Sequence, residues 1–408
     1  MWNFIFITTL AVAASPVQVE TLDGKKLAGE IQTWNDAELV LTTKNETESI
    51  PAAKLAMVRP LSNSLEELPT ATVFLDLVDG STLEATTYTV SKGTAAITLR
   101  DGQLLNLPMQ QVAAVRLKNF DSPDLAKQWE QIRQSKPGGD LVVVRKGEAL
   151  DFLEGVLGDV TADNVTFKLD GDDISVKRIK LEGMIFFQNE APRLAELACI
   201  VSTQSGLSLQ AKNVSWKGGE APKLAVTTLA GAEVMLPWND VTQVNFAAGR
   251  MTYLSELTPE SVSYAPYFPL SDKLPLLAKY GQPVFDRSFE GGPLRFIPEA
   301  GSDAAPAEYS RGIALRSHTE LVYRLTDKYR RFRGLAFIDA RMRGNGNVKL
   351  SIFGDDKPLL EEEVSGRVAP LEIDVDVTGV KRIKIVVGYG ADSDVADHLD
   401  LAEARVTK

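Results

Sequence analysis

The segment Asp394–Val406, DVADHLDLAEARV, sets one histidine between two aspartates in a chain with only two histidines. Asp397, His398 and Asp400 are groups that bind metals, move protons or hydrogen-bond a neutral ligand. Zinc wants about three or four nitrogen or sulfur ligands, and the chain adds only His318 and one cysteine, Cys199. Calcium takes about six to eight oxygens, drawn from more than one loop, for which Asp339 and Asp355 are weak additional candidates. A nucleophilic triad needs Ser or Cys, a His and an orienting acid. Ser317, His318 and Asp397 meet that on paper, but no G-x-S-x-G elbow surrounds Ser317. DGDD at 170–173 and EEE at 361–363 read as a hairpin turn and a solvated strand edge, not as the carboxylate pair of a glycosidase. GNGN reads as a hairpin without the Lys-Ser/Thr of a phosphate loop, and YRRFR as a strand with a basic face. No residue reads as catalytic, no metal is assigned and no cofactor is expected. The structural alternative for DHLD is that Asp397 and His398 hydrogen-bond a neighbouring loop and fix the last strand.

The elements that position these residues are short strands. Four segments repeat one pattern around Gly24, Gly80, Gly147 and Gly206, spaced by 56, 67 and 59 residues. Pro51, Pro108 and Pro237 recur at the same relative place, with Val176-Lys177 there in the third segment. Alternation such as Val17, Val19 and Leu22, with Asp-Gly steps, marks half-buried strands and tight turns. This predicts separate SH3-like or Sm-like β-barrels at 16–62, 70–119, 140–190 and 195–248. A helical linker spans 120–139, with Ser122 as N-cap, Pro123 first in the helix, and Leu125, Trp129 and Ile132 on one face. Residues 255–309 hold eight of the 20 prolines, yet YAPYF and PVFDRSF are aromatic, so this reads as an ordered lead-in. Beyond it LEIDVDV and KRIKIVVGYG read as strands of a β-sandwich. The fold class is all-β: tandem small barrels, then a C-terminal sandwich.

Composition is that of a globular protein, 44% hydrophobic and 24% charged. A net charge of −11 argues against nucleic acid as a partner. From residue 311 onward Lys+Arg number 17 and Asp+Glu 16, so the acidity lies in the first 310 residues. Cys199, within LACIVS, reads as a packed core thiol. Residues 1–14 read as a signal peptide: the apolar run is shorter than the about 20 residues a span needs, and it ends at Ala11-Val12-Ala13. Export to a secreted or periplasmic, cell-envelope location follows, without a stable membrane span.

Residues 250–408 carry a resemblance. YSRGIALRSHTELVYRL, YRRFRGLAFIDA, GNVKLSIFGDDKPLLEEEVSG and DHLDLAEARV occur in that order. They resemble NPCBM, a family of carbohydrate-binding modules with a galactose-binding-like jelly roll, found in secreted bacterial proteins. The resemblance implies non-catalytic binding of a glycan or cell-surface polysaccharide. Where the family usually has histidine this chain has Arg316, and where it has tryptophan this chain has Leu401. No Trp follows Trp238, so a sugar platform here would be a Tyr. Loops carrying Arg316 and His318, and Asp397, His398 and Asp400, are the expected ligand-binding residues. A second reading is an envelope scaffold that binds other envelope proteins and no sugar.

Overall fold

The computed structural model describes residues 16–44, 46–61, 67–135, 137–189, 193–267, 280–297, 307–326, 328–391 and 393–408. The candidate signal peptide, 1–14, lies outside them. The chain divides after Ala247 into two compact units. Among the described residues both are all-β, apart from one α-helix and short 3-10 turns.

In the first unit, the first repeat runs β1 (Pro16–Thr21), β2 (Lys26–Trp34), β3 (Glu38–Thr42), β4 (Thr47–Pro51) and β5 (Leu55–Pro60). The second runs β6 (Val73–Leu77), β7 (Thr82–Ser91), β8 (Thr94–Leu99), β9 (Leu104–Pro108) and β10 (Val112–Arg116). After helix α1 (Pro123–Arg133) come β11 (Asp140–Lys146), β12 (Ala149–Val160), β13 (Asn164–Leu169), β14 (Asp172–Lys177) and β15 (Leu181–Ile185). The fourth repeat is β16 (Cys199–Thr203), β17 (Ser208–Lys217), β18 (Lys223–Thr228), β19 (Glu233–Pro237) and β20 (Val241–Asn245). In each repeat four strands pair in sequence and the fifth returns to pair with the first. A 3-10 turn separates strands four and five every time. The residue before that turn has φ of −55, −58 and −57° at Pro51, Pro108 and Pro237, the value a pyrrolidine ring imposes. Lys177 adopts −65° in the third repeat, so no ring is needed there. The four anchoring glycines have φ between 65 and 92°, a left-handed turn conformation that suits glycine.

The repeats, expected as separate bodies, are joined by hydrogen-bonded seams. Fifth strands pair across repeats, β5 with β20 and β10 with β15, and β7 touches both β12 and β17. The Gly80 turn is stitched to the fourth repeat: Gln210 N–H donates to Ser81 Oγ at 2.9 Å and Ala230 N–H to Asp79 Oδ2 at 3.1 Å. The physical reason shows in β15, LEGMI, which is buried at every position and so needs cover on both faces. One apolar cluster runs through all four repeats. Helix α1 fills a second cluster with Trp129 and Ile132 against Leu141, Val143 and Ile185. Its N-cap is Ser122, whose Oγ accepts from Leu125 N–H at 3.3 Å, with Pro123 in the first turn.

The second unit is a jelly-roll sandwich. Its strands are β21 (Met251–Tyr253), β22 (Ser261–Tyr264), β23 (Val284–Phe285), β24 (Leu294–Phe296), β25 (Ala307–Tyr309), β26 (Gly312–Arg316), β27 (Thr319–Arg324), β28 (Arg331–Ile338), β29 (Asn347–Gly354), β30 (Lys357–Ser365), β31 (Leu371–Asp376), β32 (Arg382–Tyr389) and β33 (His398–Thr407). One sheet has the order β23-β26-β33-β28-β31, with β21 also on β33; the other is β22-β27-β32-β29-β30. Alternate residues of each, such as Ile313, Leu315, Leu399 and Leu401 against Leu350, Ile352, Ile383 and Ile385, fill the space between them. The pleat sends Ala314 and Ala402 to the opposite face, where Leu294, Phe296 and Tyr309 of the lead-in cover them with Phe337. The lead-in is thus ordered where described. GNGN is not a hairpin: it crosses from β28 to β29 in the other sheet. The hairpin is Asp355-Asp356 between β29 and β30, with φ of 46 and 67°, the paired positive values of a type I′ turn.

Candidate functional site

Strand pairing builds the site. β26 lies antiparallel to β33 with Arg316 directly opposite His398, Ala314 opposite Asp400 and Gly312 opposite Ala402. These side chains share the face turned away from the sandwich core, because their neighbours Leu315 and Leu399 take the inner face. Arg316 Nη1 donates to His398 Nε2 at 2.5 Å and to Tyr280 Oη at 2.9 Å, and its Nε donates to Tyr280 O at 3.2 Å. An arginine has only donors, so His398 accepts here as the neutral imidazole with its hydrogen on Nδ1. The guanidinium also stacks on two rings, 3.8 Å from the Tyr280 centroid and 4.2 Å from that of Phe289. Burial, then the Arg316 charge, holds the His398 pKa below its ordinary value.

Ser317 and His318 turn the chain from β26 into β27, and His318 is exposed. Its ring stacks on Tyr389 at 5.0 Å and 14°, and Tyr267 meets Tyr389 edge-on at 5.1 Å. Tyr389 Oη donates to Ala265 O at 2.7 Å, which ties the end of β32 to the lead-in. Tyr264 joins the two groups, edge-on to Tyr280 at 6.4 Å. Burial first, then Tyr280, raises its phenol pKa, Arg316 opposes, and Asp394 and Tyr389 add to the rise. Gly281 permits this packing: a Cβ there would stand 2.0 Å from the Tyr264 ring. Tyr267 and Tyr280 remain 44% and 52% exposed, so they offer aromatic surface to solvent.

The sequence-derived residues therefore divide. Arg316 and His398 touch, and His318 belongs to the adjoining aromatic group. Asp397 and Asp400 are 2% and 1% exposed. Asp397 Oδ1 accepts from Asn347 N–H, at the start of β29, at 3.0 Å. Asp400 lies on the ligand face but beneath the lead-in; burial, then neighbouring Asp339, pushes its pKa well above the carboxylate range. Ser317 is buried and makes no hydrogen bond to His318, so the paper triad is not assembled. The calcium candidates do not converge. Asp339 accepts from Arg341 N–H beside the Asp400 end of the sheet, whereas Asp355 accepts from Lys381 and Arg382 N–H at the turn after β29. Among the described residues no cluster of three or more His, Cys, Asp or Glu is arranged to hold a metal. Cys199 is buried, and burial pushes its thiol up to about 12, which makes it inert.

Sequence reasoning missed Tyr264, Tyr267, Tyr280, Phe289, Tyr389 and Asp394 as site groups. The aromatic density of YAPYF and PVFDRSF was an available signal for Tyr264, Tyr267 and Phe289; Tyr280, Tyr389 and Asp394 lie outside those segments.

Comparison with known proteins gives the family of the C-terminal sandwich. Residues 250–407 match the NPCBM/NEW2 domain family, so the C-terminal unit is an NPCBM domain. Among solved structures, the chain is similar to a CBM51 module from Clostridium perfringens GH95, solved with methyl-galactose. Identity is 25%, over 38% of this chain and 99% of that one, with a TM-score of 0.32. It is similar also to the CBM51-2 and INT domains of Clostridium perfringens ZmpB, at 20% identity over 51% and 40% of the two chains, TM-score 0.33. The tandem CBM51 modules of Sp3GH98, a family 98 glycoside hydrolase from Streptococcus pneumoniae, match at 12% identity over 65% and 88%, TM-score 0.32. Comparison with curated proteins gives no match.

Proposed function

We propose that the chain is an exported, non-catalytic carbohydrate-binding protein whose NPCBM domain holds a glycan on the face of Arg316, His398, Tyr280 and the Tyr389–His318 stack. The carrying observation is the geometry of Arg316. Its planar guanidinium is held between two aromatic rings and a neutral histidine, and no described residue takes a hydrogen from Nη2, which suits it to donate to a ligand. Sugars present apolar ring faces and arrays of hydroxyls, so an exposed aromatic beside a fixed fork of donors suits them. Asp394, exposed near Tyr264 and Tyr389, is the acceptor of this face. Asp397 and Asp400 shape the site from below and do not contact ligand. The four N-terminal repeats act as a spacer or as a surface for other envelope proteins.

The test is a glycan array and calorimetry with the full chain. Tyr280→Ala and Arg316→Ala should each weaken binding about tenfold or more, a loss of at least about 1.4 kcal/mol, with the fold intact by circular dichroism. Parent-like binding by both variants would place the sugar elsewhere.

A further inference from the structure

Arg316 differs from most half-buried arginines of its unit in one respect. Arg295, Arg311, Arg331, Arg333, Arg341 and Arg405 each reach a carboxylate of the chain. Among the described residues Arg316 reaches none: its partners are a carbonyl, a phenol, a neutral imidazole and two ring faces. Glu290, the acid whose charge acts on Arg316, is engaged by Arg341. A half-buried cation without a paired carboxylate carries a desolvation cost, and burial lowers the Arg316 pKa, with Tyr280, Tyr264 and Glu290 opposing it only in part. Among the described residues none accepts a hydrogen from Nη2.

Resting on the saccharide-binding reading above, we infer that the ligand at this face is an acidic saccharide, one whose carboxylate meets Arg316 Nη2 while its ring lies on the exposed Tyr280–Tyr264 surface. A charge-assisted hydrogen bond from a positioned arginine is about twice as strong as a neutral one. A neutral sugar would leave the cation uncompensated. The chain's overall charge of −11 does not oppose this: charges beyond about 8 Å are screened at physiological salt.

The experiment presents the full chain to an array of neutral, uronic-acid-bearing, sialylated and sulfated glycans. Calorimetry on methyl galactoside and methyl galacturonide follows, since the two differ only at the carboxylate. The expected result is about tenfold or greater preference for the carboxylated member, lost in Arg316→Gln and weakened as NaCl rises from 50 to 500 mM. The salt series reads the same contact in the unaltered protein should Arg316→Gln fail to fold. Equal affinity for the pair, preference for neutral or sulfated glycans, or no salt dependence overturns the inference and leaves saccharide binding standing. Failure to bind any glycan overturns both.

Discussion

Asp400 is 1% exposed, and neither of its oxygens receives a hydrogen bond within ordinary geometry. The Arg295 amide lies near enough only to oppose the upward pKa shift in part; burial and Asp339 dominate. A carboxyl whose folded pKa is raised stabilises fully below its unfolded pKa of about 3.9, and that stability is lost as pH rises through the folded value. Asp400→Asn therefore gains on the parent as pH rises, by about 1–3 kcal/mol once the parent is ionised. Thermal melts from pH 4 to 9 check this; parallel curves for parent and variant would contradict it. His398 has the opposite linkage. Its folded pKa is depressed, so its contribution is complete above about pH 6.5 and is lost as pH falls through the folded value. In an NMR titration its imidazole should protonate below pH 6.5, and Arg316→Ala should move the midpoint back upward by removing one of the two depressing causes.

At the scale of elements, the junction of repeats two and three depends on α1. Trp129 lies against Gly183 of β15 so closely that a Cβ there would meet its ring at 2.6 Å and the Val115 carbonyl at 2.4 Å. Trp129→Ala should cost about 3–5 kcal/mol by cavity formation, and Gly183→Ala should also destabilise, by overpacking; denaturant unfolding measures both. The helix was legible in advance because its signals are local: an N-cap serine, a proline in the first turn and a 3.6-residue apolar period. The seams were not. Pairing of β10 with β15, or of β5 with β20, joins residues more than 65 positions apart, and single-sequence periodicity reports which face is buried, not what buries it. GNGN was misread for a related reason, since a Gly/Asn turn looks the same whether the next strand pairs at once or crosses to another sheet.

Across the whole molecule, the repeat number, the all-β class and the C-terminal domain family could all be read from motif order, while the site could be read only in part. Arg316 and His398 sit in the motifs, but Tyr280, Tyr264 and Phe289 come from the lead-in, whose register on β26 and β27 only the folded sheet fixes. The shared core of the four repeats predicts one cooperative opening for residues 16–247, seen as common protection of their core amides in hydrogen exchange; staggered loss, repeat by repeat, would contradict that. The chain's two histidines both lie on the candidate face, which gives the central claim a direct readout. In the full chain with labelled histidine, a saccharide that binds should shift both imidazole signals, His398 through Arg316 and His318 through its stack on Tyr389. Saturable glycan binding that leaves both imidazole signals unmoved would contradict it.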